Sequence, residues 1–161
     1  MDERPQRPGD RVFLVVVDDS PELRAALSFA CARARKGGGR VALLRVIEPA
    51  EFQHFLTINN LMKAEARQEA EELLQRVAAE VNARSGQLPV LYVREGEPRD
   101  ELLRLIEEER SISVLVLAAD PGPGGPGPLI QAMAGRLVGR LRVPLMVVPG
   151  HMTDEEIEKV T

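Results

Sequence analysis

Residues 11–22 read RVFLVVVDDSPE, and this stretch decides the fold. After Arg11 it is a continuous apolar run rich in β-branched side chains, which is typical of a strand buried on both faces of a parallel sheet. Two patterns then predict the start of a helix. Asp19 with Glu22 has the spacing of a capping box, and Ser20 before Pro21 has that of a cap followed by the first helical residue.

The same alternation of apolar runs and helical patterns continues along the chain. It predicts further strands at residues 41–47, 88–93, 112–117 and 144–148, with helices between them ending near Lys36, then at about 60–84, from Pro98, and at about 129–141. Residues 50–59 remain ambiguous. The alternation predicts the α/β class: a single-domain open doubly wound sheet of five parallel strands with helices on both faces.

Flanking segments complete the domain organisation. Residues 1–10 form a polar tail, 11–149 form the domain, and 150–161 form a C-terminal tail. Within that last segment Thr153 and Glu156 have the spacing of a capped helical turn.

The composition excludes several classes of protein. The 161 residues are 44% hydrophobic and 29% charged, as in one globular domain. A net charge of -4, 3% aromatic residues and no Trp argue against a nucleic-acid partner. One Cys and two His cannot form an internal disulfide or a structural zinc site. No apolar run approaches the roughly 20 residues of a membrane span, so we expect a cytoplasmic protein without a membrane partner.

The loop predicted after the fourth strand, residues 121–128, reads PGPGGPGP. Gly122 and Gly127 have the glycine spacing of a Walker A loop, but Pro128 and Leu129 stand where that motif needs Lys and Ser or Thr. Four of the eight residues are prolines without an N–H group. The loop is therefore a poor phosphate cradle.

Two interpretations of this loop remain open. Gly124 and Gly125 form its only pair of consecutive amides. The free N–H groups of the following helix, near Leu129 and Ile130, form a candidate anion site. Alternatively, the loop is a stiff surface connection. Ligands of doubly wound sheets bind beyond the carboxyl ends of the strands, so the loop would border the site if the first and fourth strands are neighbours.

Four segments together resemble the universal stress protein family. They are VVVDDSPE at 15–22, LLRVIEP at 43–49, VREGEPRDELLRLIEEE at 93–109 and VPLMVVP at 143–149. The resemblance implies a fold like that of the adenine-nucleotide alpha-hydrolases and a homodimer. The uncharged fifth strand, if it lies at the sheet edge, would pair with its copy in a second chain. Alternatively, the C-terminal tail would cover that edge.

Nucleotide-binding members of this family carry Gly-x2-Gly-x9-Gly-Ser/Thr after the fourth strand. An ungapped match places these positions on Ala118, Pro121, Gln131 and Ala132. A shifted register uses Gly122, Gly125 and Gly135, but Arg136 then replaces the hydroxyl residue. The resemblance therefore implies a degenerate nucleotide site.

Two other positions match the family better. Asp18 matches the aspartate that contacts adenosine, where it would accept hydrogen bonds from an amine or a ribose hydroxyl. Val46 matches the apolar residue beside adenine. Equally, Asp18 is a strand-end carboxylate near a helix N-terminus and Val46 is a core residue. His54, in the ambiguous segment, would help to form a lid over the crevice or lie half exposed in a loop.

The resemblance implies a non-catalytic stress-response or regulatory protein with weak or absent ATP binding, no catalytic residues, no cofactor and no metal. The alternative is an ATP-binding or AMP-binding switch that uses the crevice between the first and fourth strands. Its candidate nucleotide-binding residues are Asp18, Val46, Gly122, Gly124, Gly125, Leu129 and Ile130. An enzyme with unrecognised chemistry in that crevice is a third reading.

Overall fold

A computed structural model describes residues 10–49 and 59–161. Its strands are β1 (Val12–Val16), β2 (Arg40–Ile47), β3 (Val90–Glu95), β4 (Ile112–Ala119) and β5 (Leu145–Pro149). Its helices are α1 (Leu23–Gly37), α2 (Asn59–Ser85), α3 (Pro98–Glu108), α4 (Pro128–Ala134) and α5 (Asp154–Val160), with a 3-10 turn at Val138–Arg140. Across these ranges no helix is long and apolar enough to cross a membrane.

The five strands form one sheet in the order β3-β2-β1-β4-β5, and every neighbouring pair is parallel. The chain runs outward from β1 to β3 on one side and from β4 to β5 on the other. Strand order therefore reverses between β1 and β4, which is where such sheets bind ligands. The α/β class and the five-stranded parallel sheet are confirmed, and the first and fourth strands are neighbours.

β1 is buried on both faces of the sheet. Phe13 and Val15 belong to the apolar cluster that includes residues of α1 and α2, whereas Leu14 belongs to the cluster with α3 and α4. Leu14 and Val15 have no exposed area. An alternating polar pattern would place polar groups against one of these helix layers, so a central strand here has to be continuously apolar.

The two predicted caps of α1 are wrong. The helix begins after Glu22, which makes no side-chain cap hydrogen bond. Asp18 instead organises the turn, because its Oδ1 accepts hydrogen bonds from the Ser20 backbone N–H at 2.9 Å and from the Ser20 hydroxyl at 2.5 Å. The Ser20 side chain is thus engaged with Asp18 rather than with the helix, while the Ser20 carbonyl accepts from the Leu23 N–H at 3.3 Å.

The predicted end of the helix over residues 129–141 is also wrong. α4 stops at Ala134, and residues 138–140 form a separate 3-10 turn. A Cβ atom at Gly135 would lie 2.6 Å from the Gln131 carbonyl oxygen, so the chain departs from the helix at a position that tolerates no side chain. Glycine is also a poor helix former.

The C-terminal tail folds as α5, which packs on α1. The predicted capped turn is confirmed: Thr153 Oγ1 accepts from the Glu156 N–H at 3.1 Å, and Glu156 Oε1 accepts from the Thr153 N–H at 3.1 Å. Ile157 is fully buried in the cluster beneath α5. Arg24 donates to Asp154 Oδ1 at 2.7 Å and to the Met152 carbonyl at 2.6 Å.

Replacing Ile157 by Ala should lower the free energy of unfolding by about 2 to 5 kcal/mol, because it opens a cavity under α5. Val160 lies on the same helix but is 65% exposed, so Val160→Ala should change the free energy by no more than about 0.5 kcal/mol. Urea denaturation measures both. Equal losses for the two variants would contradict the packing of α5.

The docking of α5 should also weaken in acid. Partial burial tends to raise the pKa of Asp154, but a hydrogen bond from Ser28 and the charges of Arg84 and Arg24 outweigh it, so the pKa lies below its ordinary value. Such a carboxylate stabilises the folded chain above the unfolded-state pKa, and its contribution disappears as the pH falls through the folded-state pKa.

Between about pH 5 and pH 2 the wild-type protein should therefore lose more stability than Asp154→Asn, which has no charge to neutralise. Chemical denaturation at a series of pH values measures this difference. Glu155→Gln removes a more exposed charge from the same helical turn and should behave like the wild type. Parallel acid profiles for wild type and Asp154→Asn would exclude this role.

Candidate functional site

A cleft of about 720 Å³ opens at the carboxyl ends of the central strands. Its lining comes from the end of β1 and the turn after it (16–18), from β2 and the residues that follow it (45–46 and 48–49), and from β4 (116–118). The start of α3 (96–99) and the start of α4 with the loop before it (126–130) complete it. The first turn of α1 closes one side. The cleft thus lies at the reversal of strand order, where the sheet topology directs ligands.

The inner wall of the cleft is apolar. Val16 of β1, Val46 of β2 and Leu117 of β4 line it together with Ala26 of α1. Val46 is nearly buried, so it belongs to the core and to the cleft wall at once. The volume falls within the roughly 300 to 1,000 Å³ of small-molecule sites. A flat, largely apolar group of nucleoside size fits this space.

Asp18 lies at the mouth of the cleft, and its side chain is exposed. One carboxylate oxygen holds the turn through Ser20, as described above. The sequence therefore identified a residue of the cleft, and the structure adds a local role for it in shaping the turn after β1.

The loop before α4 folds back on itself. The Gly122 N–H donates to Asp120 Oδ1 at 2.8 Å, and the Asp120 N–H donates to the Pro126 carbonyl at 3.2 Å. Gly125 has a φ of 93°, and a Cβ atom there would lie 2.9 Å from Gln131 Nε2. The carboxylate of Asp120 thus occupies an amide that an anion would need.

The candidate glycines of this loop do not line the cleft: Gly122, Gly124 and Gly125 lie outside its wall. Pro126, Gly127 and Pro128 line it instead, followed by Leu129 and Ile130 at the start of α4. The structure thus brings Asp18, Val46, Leu129 and Ile130 around one cleft and leaves the three glycines beside it. α4 has only seven residues and begins with a proline.

The sequence analysis missed Arg45, which lines the cleft from β2. Its Nη1 donates to the Val17 carbonyl at 3.4 Å, and its buried Nε has no hydrogen-bond partner among the described residues. Arg45 also borders a second cavity of about 370 Å³, lined in part by Asp19, Glu69 and Glu72. A charged residue inside the apolar run VALLRVI was the signal that could have identified it.

Carboxylates outnumber guanidinium groups around the cleft. Four acidic residues line it, Asp18, Glu22, Glu48 and Glu97, against two basic residues, Arg45 and Arg99. Arg99 Nε lies 3.2 Å from Glu97 Oε1, so this pair largely neutralises itself. Glu97 Oε2 also accepts from the Asp100 N–H at 3.2 Å and caps α3. The cleft is therefore acidic.

The one described cysteine, Cys31, does not line the cleft. Burial raises the pKa of the Cys31 thiol to about 11, so this packed cysteine stays protonated near neutral pH. Within residues 10–49 and 59–161, no group of three His, Cys, Asp or Glu side chains is arranged to hold a metal ion. His54 lies outside the described residues.

The fold is shared with several solved structures. Universal stress protein UspA from Lactobacillus plantarum is 16% identical, with a TM-score of 0.68 over 86% of this chain and 97% of that one. The universal stress protein from Archaeoglobus fulgidus in complex with dAMP is 19% identical, with a TM-score of 0.54 over 86% and 97%. A universal stress protein in complex with cAMP is 15% identical, with a TM-score of 0.54 over 87% and 97%.

Sequence comparison gives the family. No curated protein sequence matches this chain. The model of the Universal stress protein family matches residues 11–149, which is the whole segment from β1 to β5. The resemblance read from the four sequence segments is confirmed, and the chain belongs to the universal stress protein family.

Proposed function

We propose that this chain is a non-catalytic, cytoplasmic stress-response or regulatory protein whose nucleotide site is degenerate and binds ATP weakly or not at all. The observation that carries the proposal is the loop before α4. Its Gly122 amide donates to the Asp120 carboxylate, and four of its eight residues are prolines without an N–H group.

A triphosphate needs several converging N–H groups or cations to offset its charge. The loop residues that border the cleft include Pro126 and Pro128, which have no N–H to donate. The Asp120 carboxylate, hydrogen-bonded to the Gly122 N–H, adds negative charge to the same loop. Charge repulsion and missing donors both weaken binding of a triphosphate there.

The cleft also has no recognisable catalytic set. Among its described lining residues there is no His, Cys or Lys. The only hydroxyl is that of Ser20, which donates to Asp18 Oδ1 and has no histidine in the lining to accept its proton. A serine nucleophile is usually activated by a histidine base, whereas the Asp18 oxygen that accepts from Ser20 is also held by the Ser20 backbone N–H. This composition supports a binding role over hydrolysis.

A switch that binds ATP or AMP in the same crevice is the second candidate. The apolar wall and the position of Asp18 beside Val46 favour it, because both suit a base and a ribose. The solved structures with dAMP and with cAMP are complexes of adenine nucleotides carrying one phosphate. In this alternative the nucleoside part would carry the affinity, and the loop would contribute little.

Calorimetric titration with Mg-ATP separates the two candidates. The degenerate site should give a dissociation constant of about 1 mM or weaker, which corresponds to no more than about 4 kcal/mol of binding free energy. A micromolar constant that Asp18→Ala abolishes would establish the switch and overturn the proposal. Asp100→Ala, which removes an exposed carboxylate of α3 outside the cleft wall, serves as the control.

We also propose a homodimer formed through β5. This strand lies at the edge of the sheet, and in the described chain no segment pairs with its outer side, because α5 packs on α1 instead. Met146 and Val147 are 40% and 39% exposed. An apolar edge strand of this kind is stabilised by pairing with a second copy about a two-fold axis.

The hydrogen-bond register identifies the free backbone groups of β5. Leu115 N–H donates to the Pro144 carbonyl and Gly150 N–H donates to the Ala119 carbonyl, so residues 144 and 150 turn these groups toward β4. Alternate residues face opposite sides, which leaves the N–H groups of Leu145 and Val147 facing outward. Pro149 has no N–H to offer.

Val147→Pro should therefore convert the dimer to a monomer, since it removes an outward N–H without removing a bond to β4. Val147→Ala keeps that N–H and should remain dimeric. Size-exclusion chromatography with light scattering measures both masses, and far-ultraviolet circular dichroism checks that the fold is kept. A monomeric wild-type protein would exclude the proposed interface.

A further inference from the structure

We propose that the cleft selects a ligand that joins an apolar ring to a positively charged amine, and discriminates against ligands that carry phosphate. This inference rests on the proposed function, because it concerns what occupies a cleft that holds a triphosphate poorly. It names the chemical class that the same walls and charges would accept.

The apolar inner wall is the reason to expect an apolar ring in the ligand. Val16, Val46 and Leu117 come from three neighbouring strands and belong to the apolar cluster on the α3 and α4 side of the sheet, while Ala26 of α1 lines the cleft from the other side. The cleft of about 720 Å³ accommodates a bicyclic ring with a sugar or a similar substituent. Burial of the ring against these side chains supplies affinity that does not depend on charge.

The carboxylates at the mouth of the cleft are the reason to expect an amine in the ligand. Glu22 and Glu48 line it, and for both carboxylates the described residues show neither a salt bridge nor a side-chain hydrogen bond. Asp18 adds a third carboxylate, of which one oxygen is used by Ser20. An ammonium group has three N–H donors and no acceptor, so it complements carboxylate oxygens, whereas a phosphate offers only further acceptors.

The two basic residues of the cleft do little to reverse this preference. Arg99 is paired with Glu97, as described above. Arg45 lies between the cleft and the second cavity, and it directs Nη1 to the Val17 carbonyl. In that second cavity it shares the wall with one further cation, Arg76, and with three carboxylates, those of Asp19, Glu69 and Glu72. Its positive charge is therefore divided between two acidic surroundings.

The loop before α4 also disfavours a ligand that carries phosphate. Of the loop residues that line the cleft, Pro126 and Pro128 have no N–H group to donate to a phosphate. The Gly122 amide is already occupied by Asp120. The described loop and the first turn of α4 contribute no Lys or Arg side chain to the cleft. The backbone N–H groups of Gly127, Leu129 and Ile130 are not expected to offset the acidic mouth, so a phosphate group should lower affinity rather than raise it.

Three ligands that share one nucleoside test this preference. They are 5′-amino-5′-deoxyadenosine, adenosine and AMP, which carry a positive, neutral and negative 5′ group. Calorimetry at low ionic strength should show the amine binding about threefold to tenfold tighter than adenosine, and AMP binding at least about threefold weaker. At about 0.5 M salt the differences should shrink, because they come from partly exposed charges.

Glu→Gln variants inside and outside the cleft show which carboxylates cause the preference for the amine. The double variant Glu22→Gln with Glu48→Gln should reduce the preference for the amine over adenosine to less than about twofold. Glu107→Gln removes an exposed charge near the opposite end of α3 from the cleft, and it should keep the full preference. Denaturation curves of all variants confirm that each is folded.

The outcomes separate this inference from the proposed function. Equal affinity of the amine and adenosine, tighter binding of AMP, or no binding of any of the three at millimolar concentration would each overturn the inference. The proposed function would still stand in those cases provided that Mg-ATP binds weakly. Micromolar binding of Mg-ATP would overturn the proposed function itself.

Discussion

β1 is paired with β2 on one side and β4 on the other, and apolar layers cover both of its faces. The helix layers α1 with α2 and α3 with α4 are anchored through this strand and its neighbours. Burying polar groups without partners in such a position is costly, so the strand has to be apolar at every position. The first polar residues follow where β1 leaves the sheet, at Asp18. Core and cleft are thus defined by the same strand.

The apolar wall and the acidic mouth of the cleft come from the strands and turns around β1. Side chains of β1, β2 and β4 form its apolar wall, while the segments that follow β1, β2 and β3 contribute carboxylates. The loop before α4 is shaped by its own hydrogen bonds, with Asp120 engaging the Gly122 amide and the Pro126 carbonyl. Four prolines and the Asp120 carboxylate reduce the number of N–H groups that this loop can offer to an anion. The proposed function and the proposed ligand class both depend on this local arrangement.

α5 extends the domain beyond the segment that the family model matches. Its capping box stabilises the first turn, and Ile157 inserts into the same cluster that covers β1. Arg24 of α1 donates to both Asp154 and the Met152 carbonyl, so the segment before α5 is held against the first turns of α1. Because Glu22 and Leu23 at this end of α1 line the cleft, the C-terminal helix supports one wall of the site from behind. It does so without pairing with β5, whose outer edge is not paired with any described segment.

The sequence by itself determined the class of fold, the number of strands and the family, because apolar periodicity and short turn motifs are local properties of the chain. It also identified two residues of the cleft: Asp18, because it follows a strand end in a doubly wound sheet, and Val46, through the resemblance to the family. It could not determine the end of α4 or the true start of α1, where contacts at Gly135 and the Asp18–Ser20 turn override helical patterns. Only the tertiary structure decided that Arg45, Glu22 and Glu48 share one cleft, that Gly122, Gly124 and Gly125 lie outside its wall, and that the tail packs on α1. Those outcomes depend on contacts between residues distant in the chain, which no local pattern encodes.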